Sequence, residues 1–168
     1  MRSARLLPGV LLALLAPGCG DGEDGLACTG SNDPEALRGS FCEGSEIRWD
    51  SVELGFLSDP PAVRIRYGVR IEDRVAPRFQ IQVLGEVVQL EPGVSIPLSE
   101  AGFVQRWPED AQNPQNLTDR LEPSSSVVFE RLELSDGSPI AGAFDLLLTN
   151  GRTLRGRFEG ALVDLTPN

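Results

Sequence analysis

The sequence predicts an all-β domain over 46–168, folded as an antiparallel β-sandwich, with a small β-barrel as the alternative closure. Three observations carry this reading. From Ile47 onward apolar residues recur at every second position rather than at helical spacing. Turn-forming pairs divide the runs at short intervals, at Gly85-Glu86, Pro92-Gly93 and Asn150-Gly151. A helix start is signalled once, where a capping Asp33, a first-turn Pro34 and Glu35 precede Ala36 and Leu37, enough for one short turn. The 168 residues suit a single domain, and 40% hydrophobic with 24% charged residues is ordinary globular composition, too apolar for wholesale disorder.

The clearest strand carries Val63, Ile65, Tyr67, Val69 and Ile71, with Arg64, Arg66, Gly68, Arg70 and Glu72 between them. Period two over that length gives one buried and one wet face, and the arginines form the solvated side of an antiparallel sheet. Phe79, Ile81 and Val83 alternate with Arg78, Gln80 and Gln82 in the same way, and Gly85 and Glu86 turn the chain before a further apolar run from Val87 to Leu90. Beyond Pro92-Gly93, Val94, Ile96 and Leu98 make another short strand. Two segments change parity midway: Ile47 and Trp49 give way to Val52, Leu54 and Phe56, and Val127 and Phe129 give way to Leu132 and Leu134. One extra residue restores the apolar face, so β-bulges are expected near Asp50–Ser51 and Glu130–Arg131.

At the C-terminus, Phe144, Leu146 and Leu148 lead through Thr149-Asn150-Gly151 into Leu154, Gly156, Phe158, Gly160 and Leu162. Asn-Gly between alternating runs signals a hairpin. A two-residue loop would pair Leu146 with Arg155 and mix core with solvent side chains. A three-residue loop with Gly151 left-handed pairs Leu146 with Leu154 and Phe144 with Gly156, and sets Phe158 beside Gly142. The face then stays apolar, with large side chains against small ones. This pattern resembles a glycine-and-phenylalanine hairpin near the C-terminus of many bacterial envelope lipoproteins. The resemblance spans about 25 residues and implies no activity, since that group has no agreed biochemical function.

The N-terminus reads as an export signal: Arg2 and Arg5 precede an apolar run from Leu6 to Ala16, followed by small residues and Cys19. The run falls short of the roughly 20 apolar residues that span a bilayer. Leu15, Ala16, Pro17, Gly18 and Cys19 resemble the lipobox of bacterial lipoproteins, whose peptidase cuts before a cysteine bearing a diacylglyceryl group. The resemblance implies a signal peptide over 1–18, a lipid on Cys19 that holds the protein to a membrane, and a place in the bacterial cell envelope, periplasmic or surface-exposed. The chain departs from that pattern at Ala16, where the family usually has leucine, and ordinary signal peptidase would read Ala16-Pro17-Gly18 as its own site. In an oxidising compartment Cys28 and Cys42 can pair, which leaves Cys19 over for acylation. Residues 19–45 are therefore expected to be a lipidated tether, rich in glycine and acid from Gly20 to Gly25, leading into a disulfide-closed loop.

The chain has no lysine and no histidine, and after Gly18 it keeps 13 arginines against 25 acids, a balance of −12. Such a charge disfavours nucleic acid as a partner. The absent side chains remove the usual neutral-pH base, the commonest transition-metal ligand and the Schiff-base amine. Nucleophile elbows, phosphate loops, paired CxxC motifs and zinc helices are also absent from the sequence. No cofactor, no metal site and no catalytic residue are expected. Carboxylate pairs remain as in glycosidases, with Glu100, Glu109, Asp110, Asp119 and Glu122 among the acids, although acids in an acidic protein ordinarily serve solvation.

Between Ser99 and Ser126 the sequence reads as a long irregular loop carrying Phe103, Trp107 and Pro108, then Glu109, Asp110, Gln112, Asn113, Pro114, Gln115 and Asn116. Loops of that length are often functional. A binding site, if the chain has one, is expected around Phe103, Arg106, Trp107 and Asp110, where an aromatic beside polar groups suits a carbohydrate or protein partner. The competing reading makes Phe103 and Trp107 plugs for the open end of the sheets. Three functions follow: a non-catalytic binding or structural module of the envelope, a carrier of a small apolar ligand inside a barrel, or a carboxylate-based hydrolase.

Overall fold

The computed structural model describes residues 28, 36–43, 47–108 and 113–166, which form two facing sheets. The strands are β1 (Leu37–Arg38), β2 (Ser51–Ser58), β3 (Pro61–Ile71), β4 (Arg74–Leu84), β5 (Ser95–Pro97), β6 (Gly102–Arg106), β7 (Gln115–Asn116), β8 (Ser126–Arg131), β9 (Pro139–Leu147), β10 (Thr153–Ala161) and β11 (Val163–Asp164). One sheet runs β1-β10-β9-β8-β5 and the other β11-β2-β3-β4-β6-β7. Every ladder is antiparallel except β11 on β2. Neither sheet closes on itself, so the architecture is a β-sandwich rather than a barrel.

The alternation explains the core. Leu54, Phe56, Ile65, Tyr67, Phe79, Ile81 and Val104 face inward from one sheet and Val127, Phe129, Phe144, Leu146, Leu154 and Phe158 from the other, all buried. Their rings interlock: Tyr67 lies 5.2 Å from Trp49 and 6.0 Å from Phe144, Phe79 lies 5.8 Å from Phe144, and Phe129 lies 5.9 Å from Phe158. Tyr67 donates its buried hydroxyl to the Arg157 carbonyl at 2.9 Å, so the one tyrosine ties the two sheets together without an orphaned polar atom.

The C-terminal hairpin takes the odd-length loop. Leu154 pairs with Leu146, Gly156 with Phe144 and Phe158 with Gly142. Gly151 is left-handed at φ 81°, and Asn150 accepts the Arg152 N–H at 3.1 Å. The bulge expected near Glu130 is present, since Phe129 faces Gly142 while Arg131 faces Ala141.

At Asp50 the N–H donates to the carbonyl of Gly68, the residue that Ser51 is paired with, so two residues face one where a bulge was expected, and the Asp50 carboxylate accepts the Arg70 N–H. Other elements differ from the sequence reading. A further irregularity, not expected, falls at Arg78, which is skipped as Tyr67 pairs with Phe79 and Gly68 with Pro77. Ile71, expected inside, is 53% exposed because β3 runs on past the core into its turn. The run from Val87 to Leu90 forms no strand, and Val94 is exposed before the three-residue β5. Leu98 begins the one-turn helix α1 (Leu98–Ala101) rather than ending a strand. Leu37, read as part of a helical turn, pairs with Gly156 in β1, and a 3-10 turn follows at Ser40–Cys42. Asp33, Pro34 and Glu35 lie outside the described residues. The stretch from Ser99 to Ser126 is no irregular loop, for it supplies β6, β7 and a 3-10 turn at Thr118–Arg120.

The arginine face of β3 is also drier than expected. Arg64 donates twice to Gln82, at 3.1 and 3.0 Å, while Arg66 donates to Gln80 and Glu53 at 2.8 Å each. Gln80 is 5% exposed beneath this ladder. Burial, helped by the charge of Arg66, pushes the Arg64 guanidinium below its usual pKa.

Candidate binding surfaces

At one end of the sandwich four chain segments meet. Arg106 ends β6, and alternation puts it on the side of buried Val104, opposite Phe103 and Gln105. Its guanidinium lies 5.7 Å from the centre of the Phe41 ring, a cation–π distance, and its Nε donates to Gln115 at 2.9 Å. Phe41 sits in the 3-10 turn at Ser40–Cys42, held down by the Cys28–Cys42 disulfide and by Ser40, whose hydroxyl accepts the Thr153 N–H at 3.0 Å. Arg120 ends the second 3-10 turn, and its carbonyl accepts the Thr149 N–H at 2.8 Å. Arg152 follows the hairpin loop and donates to the Glu43 carbonyl at 3.3 Å. Burial first, then the charges of Arg120 and Arg152, hold the Arg106 pKa below its usual value.

A second surface lies on the outer face of the five-stranded sheet. Arg38, Ser126, Val128, Ala143, Asp145, Arg155 and Arg157 line an open depression of about 330 Å³. An adjoining hollow of about 280 Å³ shares Asp145 and Arg155 and adds Ser124, Leu147 and Thr153. Ala143, small between longer neighbours, opens the middle of this groove. Its charges are largely matched, with Arg155 on Asp145 at 3.0 Å and Arg157 on Glu130 at 3.3 Å.

The chain matches no family model, no curated protein and no solved structure.

Of the residues the sequence singled out, the structure separates Phe103 from Arg106. Phe103 lies on the outer face opposite Gln82 and is 37% exposed, whereas Arg106 turns to the sandwich end. Trp107 follows β6, half-buried, with its backbone N–H on the Arg78 carbonyl at 2.8 Å. Asp110 and Cys19 lie outside the described residues. Cys28 and Cys42 are bonded as expected. Thr118 serves the fold, since its hydroxyl accepts the Val104 N–H at 2.9 Å. Among the described residues no group of three or more acidic, cysteine or histidine side chains is placed to hold a metal.

Phe41 was not legible as a site residue, because only the packing of the disulfide-held turn against β10 brings it to Arg106 from a distant segment of the chain. The one signal in the sequence is its place beside Cys42.

Proposed function

We propose that this chain is a non-catalytic, lipid-anchored protein of the bacterial cell envelope that acts as a binding module, held to the membrane by a lipid on Cys19. The observation that supports a module over a carrier is the filled interior. A carrier needs an enclosed cavity of a few hundred Å³. Here inward side chains of both sheets occupy that space, with neighbouring rings 5.2–6.2 Å apart, and both depressions described above open outward on the five-stranded sheet. A ligand is therefore met on the outside.

A carboxylate-based hydrolase would need two acids facing each other across a cleft. In the groove Asp145 is the acid, and it is occupied by Arg155. The complete lack of histidine and lysine points the same way, toward recognition without chemistry.

The test has two arms. Cell fractionation should find the wild-type chain with membranes and the Cys19→Ser chain released, while unchanged membrane partition would refute the anchor. Organic extraction of the purified protein, followed by mass spectrometry, should yield no stoichiometric apolar compound; recovering one would favour the carrier.

A further inference from the structure

We propose that the outer face of the six-stranded sheet is a glycan-binding surface that takes a uronic acid residue, with its carboxylate on Arg64 and Gln82 and its ring against Phe103. This rests on the binding-module reading and names the chemistry of its ligand.

Register lays the side chains out. One row crosses the sheet as Gly55, Arg64, Gln82 and Phe103, and the next as Glu53, Arg66, Gln80 and Gln105. Their neighbours along the strands, Leu54, Ile65, Ile81 and Val104, are buried in the core, so both rows face out. The first row has an apolar group at each end. Phe103 stands at one, 37% exposed, and at the other the Leu165 side chain lies over Gly55, where any Cβ would collide with it. Neighbouring strands stand about 4.8 Å apart, so roughly 10 Å of sheet separates Phe103 from Arg64.

The hydrogen bonds decide what this row can hold. Arg64 Nε and Nη2 both donate to Gln82 Oε1, at 3.1 and 3.0 Å. A guanidinium has no acceptor, so the Gln82 oxygen must face it and the amide NH2 must face away. What the pair has left is N–H groups, on Arg64 and on Gln82, beside an oxygen that already accepts two bonds. A hydroxyl placed there brings a donor that finds no partner. A carboxylate is acceptor only, and its charge matches the guanidinium. The strands on either side bring Arg64 a single acid. Its opposite and diagonal neighbours on β2 and β4 are Glu53, Gly55, Leu57, Gln80, Gln82 and Leu84, and Glu53 is on Arg66 at 2.8 Å.

The second row asks for something else. Arg66 donates to Gln80 and to Glu53 Oε2, which leaves Glu53 Oε1 and the Gln105 amide to exchange bonds with hydroxyls in both directions. The two rows are two residues apart along each strand, roughly 7 Å. A carboxylate at one row, hydroxyls at the next and a C–H face for an aromatic ring are what a hexuronate carries around one pyranose ring. An acidic peptide supplies the first and no hydroxyl-bearing ring. The acidic balance of the whole chain, 25 acids against 15 arginines, bears little on a short uronate held here, because charges beyond about 8 Å are screened at physiological salt.

The full mature chain in neutral detergent is titrated by calorimetry with trigalacturonate, with its methyl ester and with a triglutamate peptide, beside Arg64→Gln, Phe103→Ala and the control Arg131→Gln on the other sheet. Saturable binding of trigalacturonate is expected, weakened about tenfold or more by Arg64→Gln, about threefold or more by Phe103→Ala, and left within about twofold by Arg131→Gln. The ester keeps the ring and loses the charge, the peptide keeps the charge and loses the ring, and each should bind about tenfold more weakly or worse. Circular dichroism checks each fold, and the ester and peptide comparisons, made on the wild-type chain, keep the test open should Arg64→Gln unfold. Equal binding of the ester would overturn the carboxylate contact. Equal binding of the peptide, or undiminished affinity in Phe103→Ala, would overturn the sugar assignment. Absent saturable binding, or equal loss in Arg131→Gln, would overturn the site while leaving the fractionation and extraction results, and the module reading they test, intact.

Discussion

Replacing Gly156 by alanine should destabilise the sandwich far more than the same change at Gly160, four residues along the same strand. A Cβ at Gly156 would stand 2.4 and 2.6 Å from Phe144 ring carbons and 2.8 Å from the Ala36 carbonyl oxygen. The ring cannot step aside, because it is 3% exposed and packed on Tyr67 and Phe79 at 6.0 and 5.8 Å. The carbonyl cannot either, since Ala36 is bonded to the Arg157 N–H beside β1. Overpacking of this kind costs about 1–3 kcal/mol, and a rigid neighbour puts it at the upper end. Alanine restricts the unfolded chain and returns about 0.4–1 kcal/mol, leaving a net loss of about 2 kcal/mol. At Gly160 the nearest atom is the Leu54 Cδ1 at 3.0 Å, the end of a flexible side chain, so the two effects should roughly cancel. Thermal unfolding should show Gly156→Ala melting roughly 8 °C below wild type, at about 4 °C per kcal/mol, with Gly160→Ala within a degree or two. Adding Phe144→Leu should recover part of the loss at position 156, a coupling that a double-mutant cycle measures. Equal shifts at 156 and 160, or strict additivity with Phe144→Leu, would refute the large-against-small packing of this hairpin.

Three further outcomes follow from the structure. The disulfide closes a separation of 14 residues, so Cys28→Ser with Cys42→Ser should lower unfolding free energy by about 3 kcal/mol on the chain-entropy account, read from urea midpoints at constant m. Acrylamide should quench Trp107, isolated in Trp49→Phe, more strongly than Trp49, isolated in Trp107→Phe, because Trp49 is buried and Trp107 half-exposed; the reverse order would make Trp107 a plug. The bond from the Arg70 N–H, then one from Ser51, holds the Asp50 carboxyl below the usual carboxylate range. Its contribution is present above that range and is lost as pH falls through the lowered value, so Asp50→Asn should flatten the acid limb of stability and leave the neutral region's slope unchanged.

How much of this was legible in the sequence depended on how local the deciding interaction was. The three-residue loop followed from Leu146, Leu154, Phe144 and Gly156 alone, because only one register keeps their face apolar. The bulge at Glu130 followed from parity. It served at Asp50 too, where Ile47 and Trp49 are buried ahead of β2, Leu54 and Phe56 within it, and the change of face falls where Asp50 and Ser51 both meet Gly68. β6 was hidden because its run, Gly102 to Arg106, offers one inward apolar residue, Val104, and is made a strand by pairing with β4 across 17 intervening residues, 85–101. Within the expected site the same alternation that identifies strands elsewhere separates Phe103 from Arg106, once that segment is known to be extended.

The way the sandwich ends its sheets bears on where a partner can be met. The four edge strands, β1, β5, β7 and β11, are two or three residues long, too short to template a further strand over any useful length. Main-chain recognition by strand addition is thereby disfavoured, and the side chains that fill the core among the described residues disfavour recognition from within. Side chains must carry it, on the outer faces or the ends. On the outer faces the arginines are spent on neighbours, Arg66 on Glu53 and Arg155 on Asp145, and each such pair must be broken before it can hold a ligand.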